Sequence, residues 1–478
     1  MDAIKKHGYA HKPKRFLVVL ALAAALVIGS FTPTSTIVRA DDLGSESFGS
    51  ALGRFNSIKA DDIDNDSKVE IVFGNMEGFL YVIEADTENN FVKEWQSGFI
   101  DTRLWGTELG DVDGDGQLEI VTGGWDGYAY AYDSVTHERL WRSEKMKSDA
   151  HGTFVSDTDL DGYPEVVVGT GYRIDAGSLN VLSGANGTKE WSSGIIKKGS
   201  YTAHSFRGSN VADIDADGIP EILIGFATRQ GEIEGEGYFR IYDGVTHVLE
   251  YESPDLGGDC EAIEVADVDS DGELEIVCVA GYRLRPGWIY VFDADSYELE
   301  WKSPDYGPKP YGLGVADVDG DGEMEIVTGN EAGIVRVISG ISHEVEWKSD
   351  ILGSDALGIE IADVNQDGTL DIIVGCGGYR GKSGYSSSYS QGYIYIFDGK
   401  THRLLWKVGE VDWEKWLYQV AALVTIVIVL IVLNRYLKYR RTVHHIGAHP
   451  GGRMGSAEKL SVKLQAIKRT GGIKFKRK

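Results

Sequence analysis

The chain has 478 residues, of which 74 are acidic and 47 are basic, so its formal net charge is −27. The acid is concentrated in the middle: residues 41–434 hold 72 acidic and 28 basic side chains, a net charge of −44, whereas both ends are basic. A region this acidic repels phosphate backbones, which excludes nucleic acid as its partner. The three cysteines are odd in number and form no CxxC motif, so no thiol metal or redox site is indicated.

Residues 1–40 have the pattern of a secretory signal peptide. Five basic residues between Lys5 and Arg15 precede an apolar stretch over residues 16–29, and Val38-Arg39-Ala40 resembles a small-residue cleavage site. The sequence therefore predicts export of the region that begins at residue 41. An uncleaved amino-terminal anchor is the alternative.

Asp111-Val112-Asp113-Gly114-Asp115-Gly116-Gln117-Leu118-Glu119 is the first complete example of a repeated loop. Acids stand at positions 1, 3, 5 and 9, and the glycine at position 6 permits a sharp turn because it reaches positive φ without steric cost. Such oxygen ligands suit Ca²⁺. The loop occurs seven times, starting at Asp62, Asp111, Asp157, Asp213, Asp267, Asp317 and Asp363.

We predict up to seven structural Ca²⁺ ions, one for each loop. The predicted ligands are Asp62, Asp64, Asp66 and Glu70; Asp111, Asp113, Asp115 and Glu119; Asp157, Asp159, Asp161 and Glu165; Asp213, Asp215, Asp217 and Glu221; Asp267, Asp269, Asp271 and Glu275; Asp317, Asp319, Asp321 and Glu325; Asp363, Asn365, Asp367 and Asp371. Ser67 replaces the glycine in the first loop, and the seventh has Asn365 and a shorter closing acid. These two sites are expected to be the weakest.

The loops recur every 46 to 56 residues, a period typical of propellers and solenoids. Each unit contains four short apolar or alternating runs separated by Gly, Asp and Pro, which is the pattern of strands. In the fifth unit they are 262–266, 276–279, 287–293 and 298–303. The prediction is an all-β fold over residues 41–412: a seven-bladed β-propeller of four-stranded antiparallel blades, lettered A to D in chain order.

The acidic loops, followed by runs such as Glu119-Ile120-Val121-Thr122-Gly123, resemble the FG-GAP/VCBS repeats of the integrin α-subunit propeller and of related bacterial and archaeal surface proteins. The resemblance covers about residues 48–407. It implies a propeller with Ca²⁺ in each A–B loop on one face. It also implies ligand binding on the opposite face.

One position in strand A indicates where a ligand would bind. Six residues before each loop the side chain follows no common type, and these side chains are expected to surround the channel mouth opposite the Ca²⁺ face. The candidates are Trp105, His151, Arg207, Glu261 and Tyr311. Varied polar and aromatic groups that converge in this way suggest a binding site. The alternative is that they plug the channel.

The histidines give no indication of catalysis. His137, His247, His343 and His402 occupy one repeated place, four residues before the aromatic of strand D, so they are interpreted as turn residues. Neither His151 nor the other remaining histidine of the propeller, His204, has a nucleophile or metal-ligand pattern beside it. The chain is therefore not expected to be an enzyme.

Residues 413–434 are predicted to form a transmembrane helix with an interfacial flank, since 416–433 carry no charge. Four basic residues follow at once, which places the tail, residues 435–478, in the cytoplasm by the positive-inside rule. The tail forms either a short helix on anionic lipid or a solvated segment.

The sequence thus predicts a single-pass type I protein of the cell membrane with a propeller outside. The expected role is adhesion or recognition of an extracellular protein or glycan. The alternatives are an extracellular enzyme, acting on polysaccharide or with a quinone, and a structural envelope protein.

Overall fold

The computed structural model describes residues 58–85, 91–100, 103–171, 177–196, 200–202, 209–230, 234–282, 285–352, 354–377, 392–408, 425, 428–438 and 461. The chain divides into two units, Met1–Gly409 and Glu410–Lys478. The predicted signal peptide, residues 1–40, and the candidate Arg207 lie outside the described residues.

The first unit is built of antiparallel strands. They are β1 (Ile58–Asp61), β2 (Glu70–Gly74), β3 (Leu80–Ala85), β4 (Phe91–Gln96), β5 (Leu104–Gly110), β6 (Glu119–Gly124), β7 (Ala129–Asp133), β8 (Arg139–Arg142), β9 (Ala150–Ser156), β10 (Glu165–Thr170), β11 (Ser178–Ser183), β12 (Lys189–Ser192), β13 (Ser200–Thr202), β14 (Ser209–Ala212), β15 (Glu221–Gln230), β16 (Glu234–Asp243), β17 (Leu249–Glu252), β18 (Asp259–Ala266), β19 (Glu275–Gly281), β20 (Gly287–Asp293), β21 (Leu299–Lys302), β22 (Pro310–Ala316), β23 (Glu325–Asn330), β24 (Val335–Ser339), β25 (Val345–Lys348), β26 (Ala356–Ala362), β27 (Asp371–Cys376), β28 (Tyr393–Asp398) and β29 (Leu404–Val408).

These strands form seven separate sheets, each running A-B-C-D in chain order, which confirms the predicted seven-bladed propeller. In the fourth blade two short segments, β13 and β14, both pair with β15. Because neighbouring strands are antiparallel, the A–B loops and C–D turns of every blade lie on one face. We call this the loop face. The B–C and D–A connections lie on the other, here called the opposite face.

Strand position decides burial within each blade. Strand B is buried along its whole length in β6, β10 and β19, since it lies between two hydrogen-bonded neighbours and between two adjacent blades. Strand D is an edge: in β8 only Trp141 is buried, and Arg139, Leu140 and Arg142 are exposed. This is why strand B is almost continuously apolar and strand D contains one large aromatic residue.

The hydrophobic cores lie between blades. One cluster joins Ile58, Phe73 and Ile83 of the first blade to Ile396 and Trp406 of the last, and it closes the ring. The rings of Phe91 and Trp406 stack there with centroids 4.1 Å apart. Closure therefore depends on apolar packing between the two ends of the propeller domain, without an exchanged strand among the described residues.

The recurrent Trp of strand D packs against the next blade. Its ring stacks on the residue at the tip of the neighbouring C–D turn, with centroids 4.3 to 4.8 Å apart in Trp95–His137, Trp191–His247, Trp301–His343 and Trp347–His402. These four histidines have φ between 55° and 58°, the left-handed region. Their repeated position is therefore that of a turn residue that also joins two blades.

In the third blade the residue at the tip of the C–D turn also packs against the Trp of the preceding blade, but this residue is a glycine and has no ring. Its turn has Gly187 at φ 69°, and a Cβ there would lie 2.5 Å from the ring of Trp141. Trp141 Nε1 donates a 2.6 Å hydrogen bond to the carbonyl oxygen of Gly184. Glycine is required here because the indole fills the space that a side chain would need.

Two further sequence expectations concern cysteines and the membrane. Cys260, Cys278 and Cys376 are all buried and carry free thiols. In the second unit, residues 428–438 are helical. Among the described residues, no helix has both the length and the apolar character that crossing a membrane requires. Most of the predicted span, residues 413–434, lies outside the described residues.

Candidate metal centres

Each acidic loop connects strand A to strand B. Hydrogen bonds from its backbone amides to the carboxylate of its first aspartate hold the loop in a tight turn. In the second loop Asp111 Oδ1 accepts hydrogen bonds from the amides of Gly114 (2.7 Å) and Asp115 (3.1 Å). Asp111 Oδ2 accepts one from Gly116 at 2.9 Å. These bonds bring the alternate carboxylates to the inside of the turn, as the spacing predicts.

The closing acid is the first residue of strand B. Glu119 is buried, and its Oε2 accepts a 2.8 Å hydrogen bond from the amide of Val112, the second residue of the loop. The same bond, between 2.7 and 3.2 Å, is made by Glu70, Glu165, Glu221, Glu275, Glu325 and Asp371. The closing acid therefore fixes the start of the loop as well as facing its interior.

Ligand atoms of the loops come close enough to share one ion. Carboxylate oxygens of three acids in one loop lie within 4.8 Å of one another, and the sets include Asp62, Asp64 and Asp66; Asp111, Asp113 and Asp115; Asp157, Asp159 and Glu165; Asp213, Asp215 and Glu221; Asp267, Asp269 and Asp271. Oxygen-only sets with several carboxylates are what Ca²⁺ prefers. The loops are thus acidic clusters consistent with Ca²⁺ sites.

Orphaned oxygens in these loops fit a cation. Oδ1 of Asp62, Asp157 and Asp267 is buried and has no hydrogen-bond partner. A buried carboxylate oxygen without a donor is unfavourable, and the position-1 aspartate needs its other oxygen to close the loop. A cation bound inside the loop removes this deficit in the same way at all three positions.

The raised pKa values of the closing acids also fit a cation site. Burial, followed by repulsion from Asp113, Asp115 and Asp111, raises the pKa of Glu119 to about 7 despite its hydrogen bond from Val112. Burial is likewise the first cause that raises the pKa of Glu70 to about 8 and of Asp371 to about 7. The closing acids therefore bind protons up to near neutral pH, and a cation held in the loop would displace those protons.

The first and seventh loops keep the same closure with altered residues. Ser67 adopts the left-handed conformation, φ 69°, and its amide bonds Asp62 Oδ2 at 3.0 Å as the glycine amides do elsewhere. In the seventh loop the amide of Val364 lies 3.2 Å from Asp371 Oδ2, the longest of the seven closing bonds. The expectation that these two sites bind most weakly stays a prediction.

Five of the acidic loops also contact the C–D turn of the next blade, a feature that sequence reasoning missed. Ser134 Oγ in the second blade donates a 2.7 Å hydrogen bond to the carbonyl oxygen of Ile63 in the first loop. At the equivalent turn position of the fourth blade, a Cβ added to Gly244 would lie 2.3 Å from the carbonyl oxygen of Thr158. Gly184, Gly340 and Gly399 are placed in the same way. The recurrence of glycine after strand C was the available sequence signal.

The predicted ligand residues on the opposite face pack into the interior. His151 and Glu261 are fully buried, and Trp105 and Tyr311 are at most 8% exposed. The ring of Trp105 meets His151 edge-on at 5.3 Å. Nearby, Lys309 Nζ bonds Asp259 Oδ2 at 2.7 Å and also bonds Glu261. This part of the opposite face is filled by side chains, and the assignment of these residues to a ligand stays a prediction.

Around it lie half-exposed aromatic rings covered by cations. The pairs are Tyr128 with Arg142 (4.5 Å), Trp288 with Lys302 (4.3 Å) and Tyr393 with Lys407 (4.8 Å). Each joins the start of strand C to the end of strand D. Arg103 also lies 4.0 Å over the ring of Trp125. The first three pairs share a spacing of 14 residues, a regularity that is visible in the sequence.

Comparison with known proteins supports the repeat and the fold. The FG-GAP-like repeat family matches residues 62–122 and 267–328, and each match runs from one acidic loop through the next. No curated protein matches the sequence. The chain is therefore a seven-bladed propeller that contains FG-GAP-like repeats.

Three solved structures are similar to this chain at low sequence identity. The computationally designed protein Ika8 is 12% identical, with a TM-score of 0.44 over 69% of this chain and 97% of its own. Saccharomyces cerevisiae Sqt1 is 8% identical, with a TM-score of 0.49 over 76% of this chain and 87% of its own. The WD40 β-propeller domain of Doa1 is 10% identical, with a TM-score of 0.50 over 75% of this chain and 97% of its own. The last likeness supports the fold alone.

Proposed function

We propose that this propeller with FG-GAP-like repeats is a calcium-stabilised recognition module of the cell surface, which binds an extracellular protein or glycan on its opposite face. The observation that carries the proposal is the different chemistry of the two faces. The loop face carries the acidic loops, whereas the opposite face presents Tyr128, Trp288 and Tyr393, each with a cation over its ring. Aromatic rings with adjacent cations are common anchors in protein and glycan recognition.

Calcium has a structural role in this proposal. The acidic loops join strand A to strand B, and through contacts such as Ser134 to Ile63 they also join one blade to the next. A bound ion supplies charge that offsets the clustered carboxylates. Fixing the loop then fixes the adjacent C–D turn, and the ring holds the opposite face rigid for its ligand.

The proposed role is binding rather than catalysis. The four repeated histidines stack on tryptophans between blades. Burial lowers the pKa of His151 to about 3, which leaves it neutral and without access to solvent as a general base. The acids that recur at fixed spacing belong to the acidic loops.

The proposed location is the cell membrane, with the propeller outside and residues 435–478 in the cytoplasm. The charge distribution supports it, since the tail after Leu433 holds 13 basic residues and only Glu458. The tail is proposed to contact anionic lipid. Proteolysis of intact cells tests this: the propeller should be digested while an epitope on the tail stays protected, and the reverse pattern contradicts the orientation.

A binding experiment with face-specific variants tests the recognition role. The full chain in detergent is applied to a glycan array and to a library of surface proteins, with and without calcium. Replacement of a stacking aromatic weakens binding by about tenfold, because such a contact contributes on the order of 1–2 kcal/mol. Trp288→Ala and Tyr393→Ala are therefore each expected to bind the ligand about tenfold more weakly than wild type.

Glu138→Ala, an exposed change in a C–D turn of the loop face, is the matched control and is expected to bind normally. If Glu138→Ala alone reduces binding, the ligand occupies the loop face. Binding that survives both aromatic replacements likewise contradicts the proposed surface.

A further inference from the structure

The C–D turn of the third blade contains Asn186-Gly187-Thr188, the triplet that N-glycosylation requires. The corresponding turns of the second, fourth and seventh blades have threonine followed by histidine in the first two of these places, as in Thr136-His137. The chain has one other such triplet, Asn65-Asp66-Ser67 in the first acidic loop. The two sites differ sharply in their surroundings.

Asn186 presents its amide to solvent. The residue is exposed, and its Oδ1 accepts a 2.9 Å hydrogen bond from the amide of Thr188. Within the described part of the chain neither Asn186 Nδ2 nor Thr188 Oγ1 takes part in a hydrogen bond. The nucleophilic nitrogen and the hydroxyl that the transferase reads are therefore both accessible on one short turn.

The turn that holds Asn186 is rigid. Gly187 has φ 69° and lies against the ring of Trp141, while main-chain bonds join Ser183 to Thr188 (2.8 Å) and Gly187 to Ser183 (2.8 Å). Gly187 is buried in this turn, whereas Asn186 and Thr188 are exposed.

Asn65 lies in an acidic loop whose neighbouring groups already make hydrogen bonds. The amide of Ser67 donates to Asp62 Oδ2 at 3.0 Å, and the carbonyl oxygen of Ser67 accepts a hydrogen bond from Gln366 of the seventh blade. Asp66 is itself a proposed calcium ligand. A glycan on Asn65 would compete with closure of the loop and with the contact between the first and last blades.

We infer that Asn186 is an N-glycosylation site, and this inference rests on the proposed export of the propeller. The donor is an oligosaccharide linked to a polyprenyl phosphate or pyrophosphate. In the transfer Asn186 Nδ2 forms a bond to C1 of the first sugar, the bond from C1 to the phosphate oxygen breaks, and Nδ2 loses one proton. The carrier phosphate is the leaving group, and no oxidant is needed.

The position has a consequence for the whole surface. The C–D turns lie on the loop face, so the glycan shields that face beside the acidic loops of the second and third blades. The opposite face, where the aromatic and cationic pairs lie, stays uncovered. Glycosylation at Asn186 therefore favours approach of large partners from the opposite side.

Peptide mass spectrometry of the full chain, purified from the membranes of its native cells, tests the inference. The peptide with Asn186 should carry a glycan and the peptide with Asn65 should not. Asn186→Asp keeps an oxygen for the Thr188 amide but removes the nucleophile, and Thr188→Ala removes the hydroxyl; both should abolish the modification. Thr188→Ser should retain it, which separates acceptor chemistry from a fault in folding.

External protease applied to intact cells distinguishes a failure of the glycosylation inference from a failure of the proposed location. A chain that is digested from outside but bears an unmodified Asn186 overturns the inference and leaves the proposed function standing. A glycan found on Asn65 instead of Asn186 also overturns it. A chain that is fully protected and unmodified contradicts the proposed location and the inference together.

Discussion

At the scale of single residues, His151 shows how position overrides residue type. It stands at the start of strand A on the opposite face, where the sequence suggested a ligand-binding side chain. Its ring is fully buried against Trp105. Burial opposes the charged form and lowers the pKa of His151 to about 3, against a smaller opposing effect of the hydrogen bond with the Gly171 backbone.

This burial predicts a pH dependence of stability. Between pH about 6.5 and 3 the unfolded chain binds a proton at residue 151 that the folded chain does not, so stability is complete above pH 6.5 and is lost as pH falls. The loss is about 1.4 kcal/mol for each pH unit within that window. Denaturant unfolding of wild type and His151→Gln at several pH values measures it, as the variant lacks this contribution.

A comparison with His402 shows whether complete burial causes the pH dependence. His402 is half-buried in a C–D turn, and burial lowers its pKa as well. His402→Gln is expected to change the pH slope less than His151→Gln does. Equal slopes for wild type and His151→Gln would show that residue 151 becomes protonated inside the fold.

At the scale of elements, the acidic loop and the neighbouring C–D turn act as one unit. The sequence identified every loop, because acids at fixed spacing are a local pattern. It did not identify the C–D turn that the loop contacts, because that turn belongs to the next blade of the ring. The closing acid was predicted to be a metal ligand. Its hydrogen bond with the amide of the second loop residue was not foreseen, since that bond depends on the register of strands A and B.

The turn glycine offers a test of this coupling. A Cβ on Gly244 would lie 2.3 Å from the carbonyl oxygens of both Thr158 and Pro220, so Gly244→Ala forces the third loop and the fourth turn apart. We expect a loss of about 1–3 kcal/mol in the free energy of unfolding, the usual effect of overpacking. Calcium titration followed by thermal unfolding measures stability and affinity together.

The control is Gly98→Ala, because a Cβ there has no atom within 4 Å and the residue is exposed. It is expected to leave both quantities unchanged. A Gly244→Ala chain that unfolds and binds calcium like wild type would show that the loop and the turn are independent.

At the scale of the whole molecule, the seven closing acids share one electrostatic property. Each closing acid is buried, and burial raises the pKa of Glu165, Glu221, Glu275 and Glu325 to about 7, as it does for Glu119. A raised carboxyl pKa means that the folded chain binds more protons than the unfolded chain between pH about 4.5 and 7. Without calcium, stability from this source is complete below pH 4.5 and is lost as pH rises to 7.

Removal of calcium should therefore matter most at neutral pH. Protein stripped on a chelating resin is expected to melt at a markedly lower temperature than calcium-loaded protein at pH 7.5, and the difference should shrink at pH 5, where protons occupy the closing acids. Each saturated site adds about 2.7 kcal/mol at a calcium concentration of 100 times Kd. Differential scanning calorimetry measures the two differences.

Magnesium serves as the control ion, since it binds such flexible loops less well and is expected to restore little of the lost stability. A melting temperature at pH 7.5 that does not respond to calcium removal would contradict the metal sites. An equal response at both pH values would show that protons do not compete for the closing acids.

The sequence by itself determined the number of blades, the four strands in each, and the position of every acidic loop. These features follow from local patterns: the period of the repeat, the alternation of apolar residues, and acids at positions 1, 3, 5 and 9. The tertiary structure alone decided which residues meet across blades, as in Trp95 with His137, and which candidates are buried, as with Glu261 and Lys309. Such contacts join residues some 40 to 50 positions apart, and they exist only once the ring brings adjacent blades together.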